Sequence, residues 1–169
     1  MAEEMTIKRG ADRVIAIRLL EDKSKVAADL LAFEVEHSSS KSRDFDTIKT
    51  KSGNVVNLSD VDYELSTVSY IPVGSEKVAK YEEAFDEGKP VEVWVINKDE
   101  EADSGGKFKS SYRQAYITSF EPSANVEDLV ELNMEFAVYG KEQKGDATLT
   151  EDQLNVLQYK FRDTVVDSE

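Results

Sequence analysis

Two-residue alternation of apolar and polar side chains recurs along this chain, and it is the feature that most narrows the folds open to it. Leu132, Met134, Phe136 and Val138 alternate with Asn133, Glu135, Ala137 and Tyr139. Successive side chains of an extended strand point to opposite faces, so such a run has one face for a core and one for water. The same period marks Ile15, Ile17 and Leu19 within 13–20, and Leu31, Phe33 and Val35 as a buried face opposite Ala32, Glu34 and Glu36. Residues 63–70 are rich in Thr, Val and Tyr and form a further strand stopped near Pro72, because proline cannot donate to a ladder. Val91, Val93 and Val95 alternate with Glu92, Trp94 and Ile96; both faces are largely apolar, which predicts a central strand.

Residues 108–120 read as one long strand with Tyr112, Gln114, Tyr116, Thr118 and Phe120 on a shared face, in a hairpin with 91–96 across an acidic loop at 98–106. Residues 38–43 (Ser-Ser-Ser-Lys-Ser-Arg) are polar and predict a flexible lead-in to a strand at 45–50. A turn at 51–54 and a return at 55–58 complete a protruding arm over about 38–54. Residues 140–147 read as a glycine-bearing loop, Thr150 with Gln153 as a capping box, and Tyr159 and Phe161 as a last strand before a polar tail.

One segment departs from the two-residue period. Val78, Tyr81 and Phe85 stand three and four apart, which predicts a helix over Glu76–Glu87 with an apolar stripe about 18 Å long. Ser75 is placed to cap it, Glu76 sits near its positive end, Gly88 suits the left-handed stop and Pro90 forbids continuation. A helix this short is marginal alone, so it is expected to cover a β core.

The chain has 169 residues, no cysteine, one histidine (His37), and 35 acidic against 21 basic residues, a net charge of −14. Its length fits a single domain over 1–169 with flexible ends. Gripping nucleic acid requires clustered Lys and Arg to displace counterions, so this surface should repel DNA. The N-terminus lacks the basic and apolar stretches of a signal peptide, and the lack of cysteine gives no disulfide framework; folding in a reducing cytoplasm is the expectation.

No constellation carries catalysis. Reading Asp99 as the first ligand of a calcium loop puts Ser104 where glycine belongs and Ser110 where a bidentate glutamate belongs. Gly105-Gly106-Lys107-Phe108 lacks the spacing of a phosphate loop, and His37 has no second histidine or cysteine for a metal site or nucleophile pair. Glu82 and Glu83 are helix neighbours that point apart. Trp94 reads as core, with sugar stacking alongside Tyr112 and Tyr116 as the competing use. Catalytic, cofactor-binding and metal-binding residues are therefore expected to be none.

The ordered set Gly10-Ala11-Asp12-Arg13-Val14, Thr47-Ile48-Lys49-Thr50-Lys51-Ser52-Gly53, Val91-Glu92-Val93-Trp94 and Gly145-Asp146-Ala147-Thr148-Leu149-Thr150 with Tyr159-Lys160-Phe161 resembles the major tail (tail tube) proteins of long-tailed bacteriophages, the family named for lactococcal phage TP901-1. The similarity runs over nearly the whole chain. It implies a mainly β fold, an antiparallel β-sandwich or barrel with one flanking helix. It further implies assembly into rings, commonly hexameric, stacked around a tape-measure protein and met by tail terminator and tail-tip proteins. The tube conducts DNA as non-adhesive cargo and belongs to the virion; no enzyme activity or cofactor is implied. On this reading Lys41, Arg43, Lys49 and Lys51 of the arm are candidate subunit contacts, and Glu34 and Glu36 are candidate lumen-facing residues. The competing classes are a carbohydrate- or receptor-binding sandwich of a virion and a hydrolytic β-fold enzyme, and a tube subunit of type VI secretion kind would share the architecture.

Overall fold

The computed structural model describes residues 5–102, 106–150 and 152–153. Seven strands form one antiparallel sheet: β1 (Arg13–Leu19), β2 (Asp29–Leu30), β3 (Glu34–Thr50), β4 (Gly53–Tyr70), β5 (Pro90–Glu101), β6 (Lys107–Ser123) and β7 (Glu131–Thr148), in the order β2-β1-β5-β6-β7-β4-β3. The α-helix α1 (Glu76–Glu87) lies between β4 and β5 in the chain.

The connection from β2 to β3 dictates the shape. These strands are the two edges of the sheet, yet only residues 31–33 separate them. Such a link spans at most about 14 Å, whereas a flat seven-stranded sheet is about 29 Å wide. The sheet must therefore curl until its edges meet. At the seam the Leu31 N–H donates to the Ile15 carbonyl (2.8 Å), the Ile15 N–H to the Glu34 carboxylate (3.1 Å) and the Tyr70 N–H to the Phe33 carbonyl (3.1 Å).

The seam shortens the strand expected at 31–36 to residues 34–36, the start of β3, and overturns its buried face. Leu31 is buried, but Phe33 sits at φ 50° in the tight link and is exposed, as is Val35 where the β3–β4 register shifts between Glu34 and Glu36. An extra residue in a strand reverses the alternation of everything beyond it, so periodicity cannot place side chains across a bulge.

Inside the curl Ile15, Ile17, Val91, Val93, Leu132, Met134 and Phe136 are almost wholly buried, and α1 closes the core with Tyr81 and Ala84. Phe85, expected in the buried stripe, instead stacks on Phe120 with ring centroids 6.5 Å apart and keeps 38% of its surface exposed. Burial, with the Asp29 carboxylate nearby, pushes the Tyr81 phenol well above its usual pKa. The helix ends are as the sequence reads: Ser75 Oγ accepts from the Val78 N–H, and Gly88 takes the left-handed conformation at φ 67°. Beyond it, the Lys89 ammonium is shared by Glu21, Glu83 and Glu87.

The central position of β5 holds, but its second face is not simply apolar. Glu92 is buried there, accepting from Arg18 Nε and from the Tyr112 hydroxyl, both at 2.7 Å, while Ile96 joins Ala16, Phe108 and Leu149 in a smaller outer core. Phe120 is not on the face of Tyr112 and Tyr116: the register shift between Ile117 and Ser119 turns it toward the main core.

Several segments expected as loops are strand. Residues 38–43 pair continuously with 61–66, β5 runs on to Glu101, and β7 crosses Gly140 at φ 74° and continues through 140–147 to Thr148. These stretches have no apolar face to reveal them, and ladder bonds to neighbouring strands hold them instead. Thr150 and Gln153 form the expected capping box, each backbone N–H donating to the other's side chain at 3.0 and 3.2 Å. The strand expected at Tyr159 and Phe161 lies outside the described residues.

Candidate assembly surfaces

Three surface features stand out, and the first is the arm. β4 pairs with β7 only over Glu64–Tyr70, so the hairpin beyond that point is a two-stranded ribbon. From Arg43 to Thr50 it projects about 25 Å. In an antiparallel pair directly opposed residues share a face. The pairs Phe45↔Leu58 and Thr47↔Val56 therefore lie on one face and Ile48↔Val55 on the other. Phe45, Ile48, Val55, Val56 and Leu58 are each more than half exposed, so both faces carry uncovered apolar area. A lone two-stranded hairpin is marginal in water, and an exposed apolar ribbon is the kind of surface that proteins bury against a partner.

The arm cations divide by position. Arg43, Lys49 and Lys51 are exposed and have no ion-pair partner among the described residues. Lys41 belongs to the root of the arm, where its ammonium meets Glu142 at 2.9 Å and lies 6.0 Å from the centre of the Tyr63 ring. Arg113 Nη2 donates to the same Glu142 carboxylate at 2.9 Å. Burial opposes the Glu142 charge, but the hydrogen bonds and charges of Arg113 and Lys41 outweigh it and hold its pKa below the ordinary glutamate value.

The second feature is a polar wall. Along β3, β4 and β7 the residues opposite the buried Leu65, Thr67, Leu132, Met134 and Phe136 form one continuous wet face. Registers Ser42↔Asp62, Ser40↔Glu64, Ser38↔Ser66 and Glu36↔Val68 continue into Ser66↔Glu135 and Val68↔Asn133, with Ser119 and Glu121 beyond on β6. Its charged members are Glu36, Asp62, Glu64, Glu135 and Glu121; none of the residues in these registers is basic. Of the two glutamates singled out from sequence, Glu36 is exposed on this wall. Glu34 is half-buried at the seam, bonded to the Ile15 N–H and in contact with His37, which is thereby partnered.

The third feature is a cavity of about 660 Å³ at the root of the arm, between β3 and the outer halves of β5, β6 and β7. Lys8, Arg13, Lys41, Lys109, Arg113 and Lys144 line it against Glu100, Glu142 and Asp146. Contact with Lys8 holds the Glu100 carboxyl below its usual pKa. In a chain of charge −14 this is a cationic enclave, and sequence reading missed it because its members are scattered from residue 8 to residue 146.

The aromatic side chains weighed for sugar binding are engaged otherwise. Trp94 lies 5.2 Å from Tyr112, with the Arg18 guanidinium 5.1 Å over its ring, and it packs on the outer core. Among the described residues no group of three or more His, Cys, Asp or Glu is placed to hold a metal ion.

A model of the family described as phage tail tube protein matches residues 7–144. The chain belongs to the phage tail tube protein family. It is a structural subunit of a virion tail tube and not an enzyme. A protein described as a tail protein, from Staphylococcus phage phiMR25, is 29% identical over 163 residues, covering 94% of this chain and 83% of the relative. Among solved structures, the tail tube of phage SPP1 matches with a TM-score of 0.68 at 19% identity, covering 95% of this chain and 90% of that one. The tail of an empty gene transfer agent particle, refined with C6 symmetry, matches at 0.62 and 14% identity over 81% of this chain and 98% of that one. At those identities the likeness shows the shared fold: a mainly antiparallel β sheet with one helix.

Proposed function

We propose that this chain self-associates into rings that stack as a tail tube, with the β3–β4 arm as a joint between subunits and the acidic wall toward the lumen. The observation that carries the reading is the arm, whose five large apolar residues stay exposed on both faces. Covering the exposed half of each is worth about 1 kcal/mol on transfer, enough in sum to favour a partner surface. Arg43, Lys49 and Lys51 add charge-assisted hydrogen bonds to carboxylates of the neighbour. The six-fold symmetry of the related gene transfer agent tail supports a hexameric ring.

The wall supports a conduit that does not hold its cargo. Lys and Arg neutralising phosphate would make DNA adhere, whereas carboxylates repel it out to a Debye length of about 8 Å at physiological salt. Glu36, with Asp62, Glu64 and Glu135, faces the lumen in this reading, and Glu34 stays at the seam beside it. A tape-measure protein within the tube, and terminator and tip proteins at its ends, are the further partners, with assembly in the host cytoplasm before incorporation into the virion.

Electron microscopy of concentrated protein tests the proposal: the native chain is expected to form tubes. Replacing residues 44–60 by a two-residue Asn-Gly turn joins Arg43 to its partner Val61 and keeps the ladder register. That chain is expected to fold, with a circular dichroism spectrum that keeps the β signature of the body and loses only the strand contribution of the arm, and to remain a small oligomer. Tubes of normal length from it would overturn the role of the arm.

A further inference from the structure

We infer that the cationic cavity at the root of the arm is a carboxylate receptor, and that it is filled in the tube by the acidic loop 124–130 of a second copy in the adjacent ring. The inference rests on the proposed stacking of rings. Its first support is the cavity itself, where six cations face three carboxylates. Its second is Arg113, only 3% exposed and in the cavity wall: Nη2 is taken by Glu142, but Nε and Nη1 have no hydrogen-bond partner among the described residues, and neither has Nε of Arg13. Buried N–H groups of a charged side chain are costly to leave unmatched. Carboxylate oxygens are the strong acceptors for such N–H groups, each forming a charge-assisted hydrogen bond.

The occupant follows from the polarity of the β6–β7 ladder. Cavity residues Lys109, Ser111 and Lys144 lie toward the Lys107↔Thr148 end, while loop 124–130 joins the opposite end at Ser123↔Glu131. From Ser111 to Ser123 the ladder runs about 40 Å, so a subunit cannot reach its own cavity. The loop is exposed throughout, and an Asn125 turn shapes it: its side chain accepts from the Glu127 N–H at 3.2 Å and donates to Asp128 at 3.4 Å. Glu127 and Asp128 are thus presented on a fixed knuckle flanked by Val126 and Leu129. A basic socket at one end and an acidic knuckle at the other make a head-to-tail contact, the kind that propagates along a filament.

The absence of native cysteine makes the test direct. Val126→Cys with Ser111→Cys leaves every charge in place. Tubes of this chain under mild oxidation are expected to give a ladder of disulfide-linked oligomers on a non-reducing gel, while either single variant gives none. Tubes that form but run as monomers would overturn the inference; native chain that forms no tubes would instead defeat the stacking on which it rests. Charge reversal is the second arm. Glu127→Lys with Asp128→Lys, and separately Lys109→Glu with Lys144→Glu, are each expected to cut tube length at least tenfold, and combining all four to restore it; failure to restore overturns the pairing. Inorganic phosphate, added to unassembled chain at constant ionic strength, separates a free-anion site: a raised Tm with no disulfide ladder in tubes would assign the cavity to free oxyanions and overturn the knuckle.

Discussion

Replacing Glu142 by glutamine removes one charge from the point where the arm joins the body. Arg113 Nη2 lies 2.9 Å from the carboxylate, so at an effective dielectric near 20 their attraction is about 6 kcal/mol. Desolvation of both ions offsets much of that. What the substitution leaves behind is an Arg113 side chain that is 4% exposed and has lost its countercharge. Breaking a buried pair from one side costs about 3 kcal/mol. For a domain of this size that lowers Tm by about 6–12 °C at pH 7.

The pH dependence carries the sharper test. Because the folded-state pKa of Glu142 lies below its unfolded value of about 4.3, its contribution is complete above that pH and is lost as pH falls through the folded pKa. Thermal melts of native and Glu142→Gln chains should therefore differ fully at pH 7 and begin to converge as pH falls below about 4.3. A gap that stays constant to pH 3.5, or one under 1 °C at pH 7, would refute the account of the cluster. Lys41→Met, by contrast, touches a side chain half in water and is expected to cost under about 1 kcal/mol in the same melts.

Three further outcomes are expected. Gly88→Ala meets no atom within 4 Å of the new Cβ, so its cost is the left-handed backbone alone, about 1 kcal/mol by chemical denaturation; a neutral result would contradict the observed φ of 67°. Ile17→Ala, fully inside the curl, should cost about 2–5 kcal/mol with an unchanged denaturant slope, and a loss below 1 kcal/mol would argue against its burial. Glu64→Lys with Glu135→Lys should leave tubes intact by microscopy but make them retain DNA, with retention falling steeply as salt is raised; salt-independent retention would argue against a charge-governed lumen.

Elements with a strong local signature are legible in the order of residues alone. Ile15, Ile17 and Leu19, the valines of β5, and Leu132, Met134 and Phe136 alternate because one side of each strand meets the core. Ser75 and Gly88 bracket α1 because orphan N–H and C=O groups at helix ends need particular residues. The order of motifs was enough for the family. Tertiary structure alone decided the extent of β3 and β7, whose polar outer halves exist as strands only through their neighbours, and the orientation of Val35 and Phe120, reversed by bulges. It also decided the meeting of edges at Leu31, where a three-residue link leaves a seven-stranded sheet no option but to curl. The cationic cavity belongs to this second class. The cavity's charges are far apart in sequence; only the pairing of β1, β5, β6 and β7, with the curl that brings β3 beside them, gathers Arg13, Lys41, Arg113 and Lys144 around one space, because long-range pairing, not local pattern, sets which side chains converge.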